Sequence, residues 1–292
     1  MLETITVSAE DGESRLDRWF RRHYPSLGHG RLEKLLRTGQ VRVDGKRAKS
    51  GDRVSPGQAI RVPPLGEVPT AATAPPRARP QDEAAIRDFI IHRDEHAIVL
   101  NKPPGLAVQG GSNTTRHVDG MLDGLRFGDD ERPRLVHRLD KDTSGVLLIA
   151  RTAAAAAFFT RAFREKTTRK TYWAIVDGAP EADEGTVDAP LAKVSSAAAG
   201  WRMVVDPAGQ RAVTHWRVLE RGARSLVEFR PETGRTHQIR VHAASLGAPI
   251  AGDPVYGAGR GPMLLHARRV VVPYAEGRPP LDATAPLPPH WP

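Results

Sequence analysis

Residues 63–80, PPLGEVPTAATAPPRARP, hold six prolines and little that a core could use. Proline fixes φ and lacks an N–H, so such a run sustains neither a helix interior nor a central strand. It predicts an extended linker over residues 64–83, dividing a small module (1–63) from a larger domain (84–292). Whatever fold the chain adopts must therefore be built from two separate cores.

Composition narrows the choices for both. The chain has 0 cysteines, which excludes disulfides, thiolate zinc sites and cysteine nucleophiles. No apolar run approaches the ~20 residues of a membrane-spanning helix. The start, MLETITVSAEDGESRLDRW, has no basic segment followed by an apolar one, so it does not read as a secretory signal. A cytoplasmic protein without membrane association is expected. The net charge is +9, and it is unevenly spread: residues 1–63 carry 13 Lys and Arg against 8 Asp and Glu, the rest 30 against 26. An Ala-, Arg- and Pro-rich composition raises total charge without any function, so the clustering carries more weight. It favours a polyanionic partner, because neutralised phosphates release counterions.

The small module reads as two amphipathic helices followed by short strands. Leu16, Trp19, Phe20 and His23 recur at i, i+3, i+4 and i+7 on one face, with Arg15, Arg18 and Arg22 on a neighbouring stripe. In the second helix Leu32, Leu35 and Leu36 face inward, and Arg31, Lys34 and Arg37 recur on the other side before Gly39 ends it. VRVDGKRAK alternates around Asp44-Gly45, a hairpin signal. Six cations on two helix faces predict an RNA-binding surface; the plainer alternative is two solvated faces that are basic. SRLDRWF, GRLEKLLRTG and QVRVDGKRAKSGDRVSPGQAI resemble an S4-like RNA-binding domain, which implies contacts to RNA backbone that position without selecting sequence.

In the larger domain AIVLNKPPG reads as a strand entering a turn, and GVLLIAR (145–151) as a buried strand. TAAAAAFFTRAFREK reads as a helix with Phe159, Ala162 and Phe163 on one side. KTYWAIVDG (170–178) and SLVEFR (225–230) read as strands, and HQIRVHAASLG (237–247) as a helix stopped by Gly247. Without a strict βαβ rhythm, the expectation is an α+β fold with a mixed, mainly antiparallel sheet.

Two segments carry chemistry. LVHRLDKDTSGVLLIAR (135–151) places Asp140 just before a tight turn and a buried strand, where rigid support suits a catalytic group. Asp140, Asp142, Thr143 and Ser144 also suit a purely structural turn before Gly145. RPETGRTHQIRVHAASLGAPIAGDPVYG (230–257) crowds Arg and His at a strand-to-helix junction. His237 and His242 stand five apart, so one helix face does not present both to a metal, and no metal site is expected. A polar pocket wall, with Arg240 directed inward and Ile239 apolar, competes with a basic surface helix.

Taken in order, HRLDKDTSG, KTYWAIVDG, PETGRTHQIRVHAASLGAPIAGDPVYG and LLHA (264–267) resemble the signature of the RluA family of RNA pseudouridine synthases. LNKPPGLAVQGGS, DAPLAK and DPAGQRAVTHW bring the likeness closest to its RluC-like group, which acts on large-subunit (23S) ribosomal RNA. The resemblance spans about residues 13–270 and leaves the Trp201 region and the tail after Val272 unassigned. It implies that Asp140 is the catalytic aspartate and that Arg138 fills the space left by a flipped base. It also implies that Tyr172 stacks on the target uracil, Arg240 pairs with the aspartate, and Ile239 lines the base. The implied reaction breaks the N1–C1′ bond and rejoins the uracil through C5. No atoms are gained or lost, so no cofactor is expected. The expected partner is ribosomal RNA and the expected state a monomer, since no large apolar helix face is left over. Two other readings remain at this point. One is a non-catalytic RNA-binding factor in ribosome assembly; the other is a carboxylate hydrolase, which lacks an evident second carboxylate.

Overall fold

The structure is a computed structural model, and it describes residues 3–25, 27–65, 80–110, 114, 116–196, 200–274, 277–289 and 291–292. Two compact units are present, Met1–Pro76 and Arg77–Pro292. Most of the expected linker, 66–79, lies outside the described residues. Its last positions differ from expectation: Pro80–Ala85 is helical. Proline is tolerated at a helix start, and Asp82 and Glu83 in the first turn favour the positive end of the dipole.

The first unit packs the helices Leu16–His23 and His29–Arg37 over a four-stranded sheet in the order Glu3–Thr6, Ala59–Val62, Arg42–Val43, Lys46–Arg47. Leu16, Trp19, Phe20, Leu32, Leu36 and Ile60 form its core, as the helical periodicity requires. The hairpin at Asp44-Gly45 has positive φ at both residues (48° and 73°), the twist a two-residue turn needs. His23 departs from the expected inward stripe. It ends its helix, so its ring lies against Trp19 at 4.4 Å and its Nε2 meets Asp11 Oδ1 at 2.8 Å, with the side chain 34% exposed. Asp11 also accepts from Trp19 Nε1 and Arg22. The His23 hydrogen bond is the main cause that holds its carboxyl far below the usual range.

The second unit is α+β, with a mixed sheet that is antiparallel at every strand pair except one. The order is Glu184–Asp188, Val213–Glu220, Arg224–Pro231, Arg169–Asp177, Leu265–Val272, Ser144–Ala150, Ala97–Lys102, Ile90–Arg93. The parallel pair joins Ser144–Ala150 to Leu265–Val272, with Gly145 opposite Ala267. Both strands therefore begin at the same end, and the loops that lead into them converge there. Gly145 makes this approach possible. Its φ is +104°, and a Cβ would lie 2.3 Å from the Ala267 carbonyl oxygen, so neither backbone nor space accepts a side chain.

Ser144–Ala150 is buried along its whole length, as its unbroken apolar run suggests. The helix Ala153–Arg164 covers one face, capped by Thr152, whose hydroxyl accepts from Ala155 N at 3.1 Å. The helix Gln238–Ser245 covers the other end of the sheet through Ile239 and Ala243 against Trp216, Val227 and Phe229. Among the strands that the sequence did not place are Ile90–Arg93, Glu184–Asp188, Val213–Glu220 and the central Leu265–Val272. The tail contributes one more, Leu281–Thr284, paired with Leu265–Val272.

Candidate active site

Asp140 stands in the turn that leads into the Ser144–Ala150 strand. The Thr143 amide donates to the Asp140 carbonyl at 3.2 Å, which closes the turn. Lys102 braces it from below. This lysine is wholly buried, and its Nζ donates to the carbonyls of Pro103, Leu106 and Lys141 at 2.9, 2.8 and 2.9 Å. Burial pushes its ammonium down to about 7, against the pull of Asp142 and Asp140.

The sheet register brings Tyr172 to the same level. Tyr172 is opposite Ala267, which is itself opposite Gly145, so the tyrosine lies two strands from the Asp140 turn. The pairing slips between Thr171 and Tyr172, skipping Arg268 on the partner strand, a bulge of the kind that redirects side chains beside functional sites. Burial and then the nearby Asp140 carboxylate push the Tyr172 phenol up, which keeps it protonated through the neutral range.

Asp140, Arg138, Tyr172, Ile239 and Arg240 all line one cavity of about 570 Å³. Arg138 is exposed at its edge, Ile239 and Arg240 are buried, and the Asp140 side chain is 21% exposed. All five residues singled out around this site thus share one space, although Asp140 and Arg240 are a hundred positions apart.

Arg240 differs from expectation in its main partner. Its Nε and Nη2 donate to the two carboxylate oxygens of Asp253, each at 2.7 Å, and only Nη1 reaches Asp140 Oδ2, at 3.3 Å. Asp253 is fully buried and also accepts at Oδ1 from the amides of Val255 and Tyr256. Burial alone would raise its carboxyl; the Arg240 hydrogen bond and those amides outweigh it and hold the group below the usual carboxylate range. A buried guanidinium with five donors needs more acceptors than one partly exposed carboxylate supplies. That need was the available signal for Asp253, which sequence reasoning missed although it lies within the GDPVYG segment.

The two other histidines of interest diverge. His242 is buried against Thr214 Oγ1 and the Ala189 carbonyl. His137, beside Arg138, accepts the Leu148 amide hydrogen on Nε2 at 2.8 Å and stacks on Phe163 at 4.6 Å. Burial, then the charge of Lys170, push its imidazole down to about 3.

In the first unit Arg18, Arg31, Lys34 and Arg37 are exposed. Arg15 and Arg22 are exposed too but carry acidic partners, Asp17 at 2.7 Å and Asp11 at 3.2 Å. No helix among the described residues is long and apolar enough to cross a membrane.

The α+β unit thus gathers a carboxylate, a tyrosine and a buried arginine around one cavity, and the chain is similar to RNA-modifying enzymes. A sequence model described as RNA pseudouridylate synthase matches residues 96–245. A ribosomal large subunit pseudouridine synthase C of Vibrio cholerae is 36% identical, over 99% of this chain and 94% of that protein. An uncharacterized RNA pseudouridine synthase of Zymomonas mobilis is 46% identical over 68% of this chain and 93% of that protein. Among solved structures, human RNA pseudouridylate synthase domain containing 4 matches with a TM-score of 0.61 and 30% identity, covering 72% of this chain and 93% of the human one. The chain belongs to the RluA-type family of RNA pseudouridine synthases, which are isomerases.

Proposed function

We propose that this enzyme converts specific uridines of ribosomal RNA, those of the large-subunit (23S) RNA, to pseudouridine, with Asp140 as the catalytic carboxylate. The observation that carries the reading is the Asp140 side chain opening on a cavity of about 570 Å³ that Tyr172, Ile239 and Arg240 also line. Such a space suits one nucleotide withdrawn from its stack. The names of full-length relatives, ribosomal large subunit pseudouridine synthase C among them, support the choice of RNA.

A stacked base is out of reach of any side chain, so the target must flip out, at a cost of a few kcal/mol. Stacking on Tyr172 returns about 1–3 kcal/mol of that. Arg138, planar and at the cavity edge, stacks into the space the base vacates, a task unsuited to lysine. Asp140 then serves as nucleophile or base towards the uracil or its sugar while the N1–C1′ bond breaks. The freed uracil turns against Ile239 and Tyr172, C5 bonds to C1′, the C5 proton leaves and N1 takes one up. Nothing in this sequence calls for a cofactor. Residues 1–63, as an S4-like module, grip RNA backbone through Arg15, Arg18, Arg22, Arg31, Lys34 and Arg37. A linker over 64–83 ties that module to the catalytic domain, 84–292, in a monomeric protein.

Asp140→Asn tests this. Nucleoside analysis of unmodified ribosomal RNA incubated with the variant should show no pseudouridine, with RNA affinity close to the parent. Normal turnover by the Asn variant refutes the assignment. An inactive parent protein that still binds the RNA points to an assembly factor instead.

A further inference from the structure

His237 lines the same cavity and has no role in the reading above. It stands at the N-cap of the helix Gln238–Ser245 in a left-handed conformation, φ 54°. That conformation is uncommon outside glycine. The ring is held on two sides. Trp201, on the strand Gly200–Val205, stacks on the imidazole with centroids 5.0 Å apart and planes 28° apart. Tyr256 meets it edge-on at 5.6 Å and 83°. The side chain is 13% exposed.

The hydrogen bonds assign the ring's proton. Tyr256 Oη accepts the Met203 amide hydrogen at 2.9 Å, and an amide N–H can only donate, so the phenol's own proton is left to give. His237 Nδ1 lies 3.0 Å from that oxygen, and no other acceptor for the proton is present among the described residues. With the phenol donating, Nδ1 accepts, and a neutral imidazole then carries its hydrogen on Nε2. Burial, the leading influence on this ring, disfavours a second proton. Nε2 lies 3.9 Å from the same Asp140 Oδ2 that Arg240 Nη1 reaches.

We propose that His237 is a positioning residue for the reaction: its Nε2–H is aimed at Asp140 Oδ2 and sets the carboxylate's rotamer, while Tyr256 selects the tautomer and Trp201 holds the plane. At 3.9 Å the pair is wider than a hydrogen bond. Catalytic hydrogen bonds are often long in a free enzyme and tighten once substrate fills the site. The strands Leu191–Ser196 and Gly200–Val205 thereby act on the reacting group through Trp201 and the Met203 amide without touching it. The inference rests on Asp140 being the catalytic carboxylate.

The test is the single-turnover rate of pseudouridine formation at saturating RNA, with RNA affinity measured alongside, for His237→Gln, His237→Asn and His237→Phe. A glutamine amide nitrogen sits near the position of Nε2; an asparagine one replaces Nδ1. Phe and Asn should slow the step by roughly 10–100-fold, the scale of a misplaced reacting group, with affinity unchanged. Gln should recover most of the rate. Equal rates for Phe and the parent overturn the proposal, and so does a Gln variant as slow as Phe, which marks a merely structural role. Should the His237 variants fail to fold, Tyr256→Phe decides: a slowed step supports the proposal and an unchanged one overturns it. Asp140→Asn, run in parallel, separates the two readings. If it stays active the carboxylate assignment falls; if it is dead while His237→Phe is fully active, only the present inference falls.

Discussion

Arg240 holds Asp253 with two hydrogen bonds of 2.7 Å and Asp140 with a single one of 3.3 Å. The tighter pair is the anchor. It leaves Nη1 to reach Asp140 Oδ2, beside the cavity that both residues line. Removing a partner from a buried ion pair costs more than the pair is worth, because the remaining charge is stranded.

Asp253→Ala should therefore lower the unfolding free energy by about 3–5 kcal/mol. It should also slow pseudouridine formation, since a loosened Arg240 turns fully onto Asp140. Urea unfolding and a turnover assay check both; unchanged stability would contradict the anchoring role.

His137 predicts a dependence on pH. Its imidazole titrates near 6.5 when unfolded and at about 3 when folded. Between those values the unfolded chain binds more protons, so stability rises with pH across the window. The contribution is fully present above 6.5 and lost as the pH falls towards 3. Protonating Nε2 also breaks its bond to the Leu148 amide. His137→Gln, which keeps an acceptor without a titrating ring, should flatten the fall in stability between pH 6.5 and 3 relative to the parent. Superimposable curves for the two proteins would exclude His137 as a source of it.

Lys102 ties two loops together through hydrogen bonds to three carbonyls, with no ion-paired carboxylate among the described residues. Lys102→Met keeps the stem and strands those carbonyls at about 1–3 kcal/mol for each one left dry. A lower denaturation midpoint and a reduced rate are expected, because the Lys141 carbonyl next to Asp140 loses its brace. A variant that loses stability but keeps the full rate would show that the turn holds its shape without the lysine.

The exposed cations Arg31, Lys34 and Arg37 should act on affinity alone. Their combined replacement by Ala should weaken RNA binding and flatten its salt dependence by roughly 0.7–0.9 in slope for each phosphate that is no longer neutralised. The rate at saturating RNA should stay as it was. An unaltered slope would remove this helix from the RNA-binding surface.

Local patterning accounts for the elements that were legible in the sequence. The 3.6-residue spacing of Leu16, Trp19 and Phe20, the Asp44-Gly45 turn and the apolar run of 145–150 each carry their own signal, because propensity and periodicity act over a few residues. Leu265–Val272 escaped that reading. Its alternation breaks where Arg268 and Arg269 stand together before three valines, and its place at the centre of the sheet comes from partners far along the chain. Asp140, Tyr172 and Arg240 were recognised through ordered motifs. Asp253 and Lys102 were not, since a GDP or NKP segment alone reads as a turn, and the buried partners that give those side chains a role belong to other segments.

The sequence by itself determined the division into two units and the helices and hairpin of the first, and its likeness to a family pointed to five of the side chains that line the cavity. Tertiary structure alone decided how those side chains share their charges and protons. The parallel pairing at Gly145 and Ala267 aligns the two loops that carry Asp140 and Asp253, and the slipped register beside Tyr172 brings the aromatic face level with them. Hydrogen-bond geometry of this kind depends on distances of a few ångströms between residues a hundred or more positions apart, a quantity that no local pattern encodes.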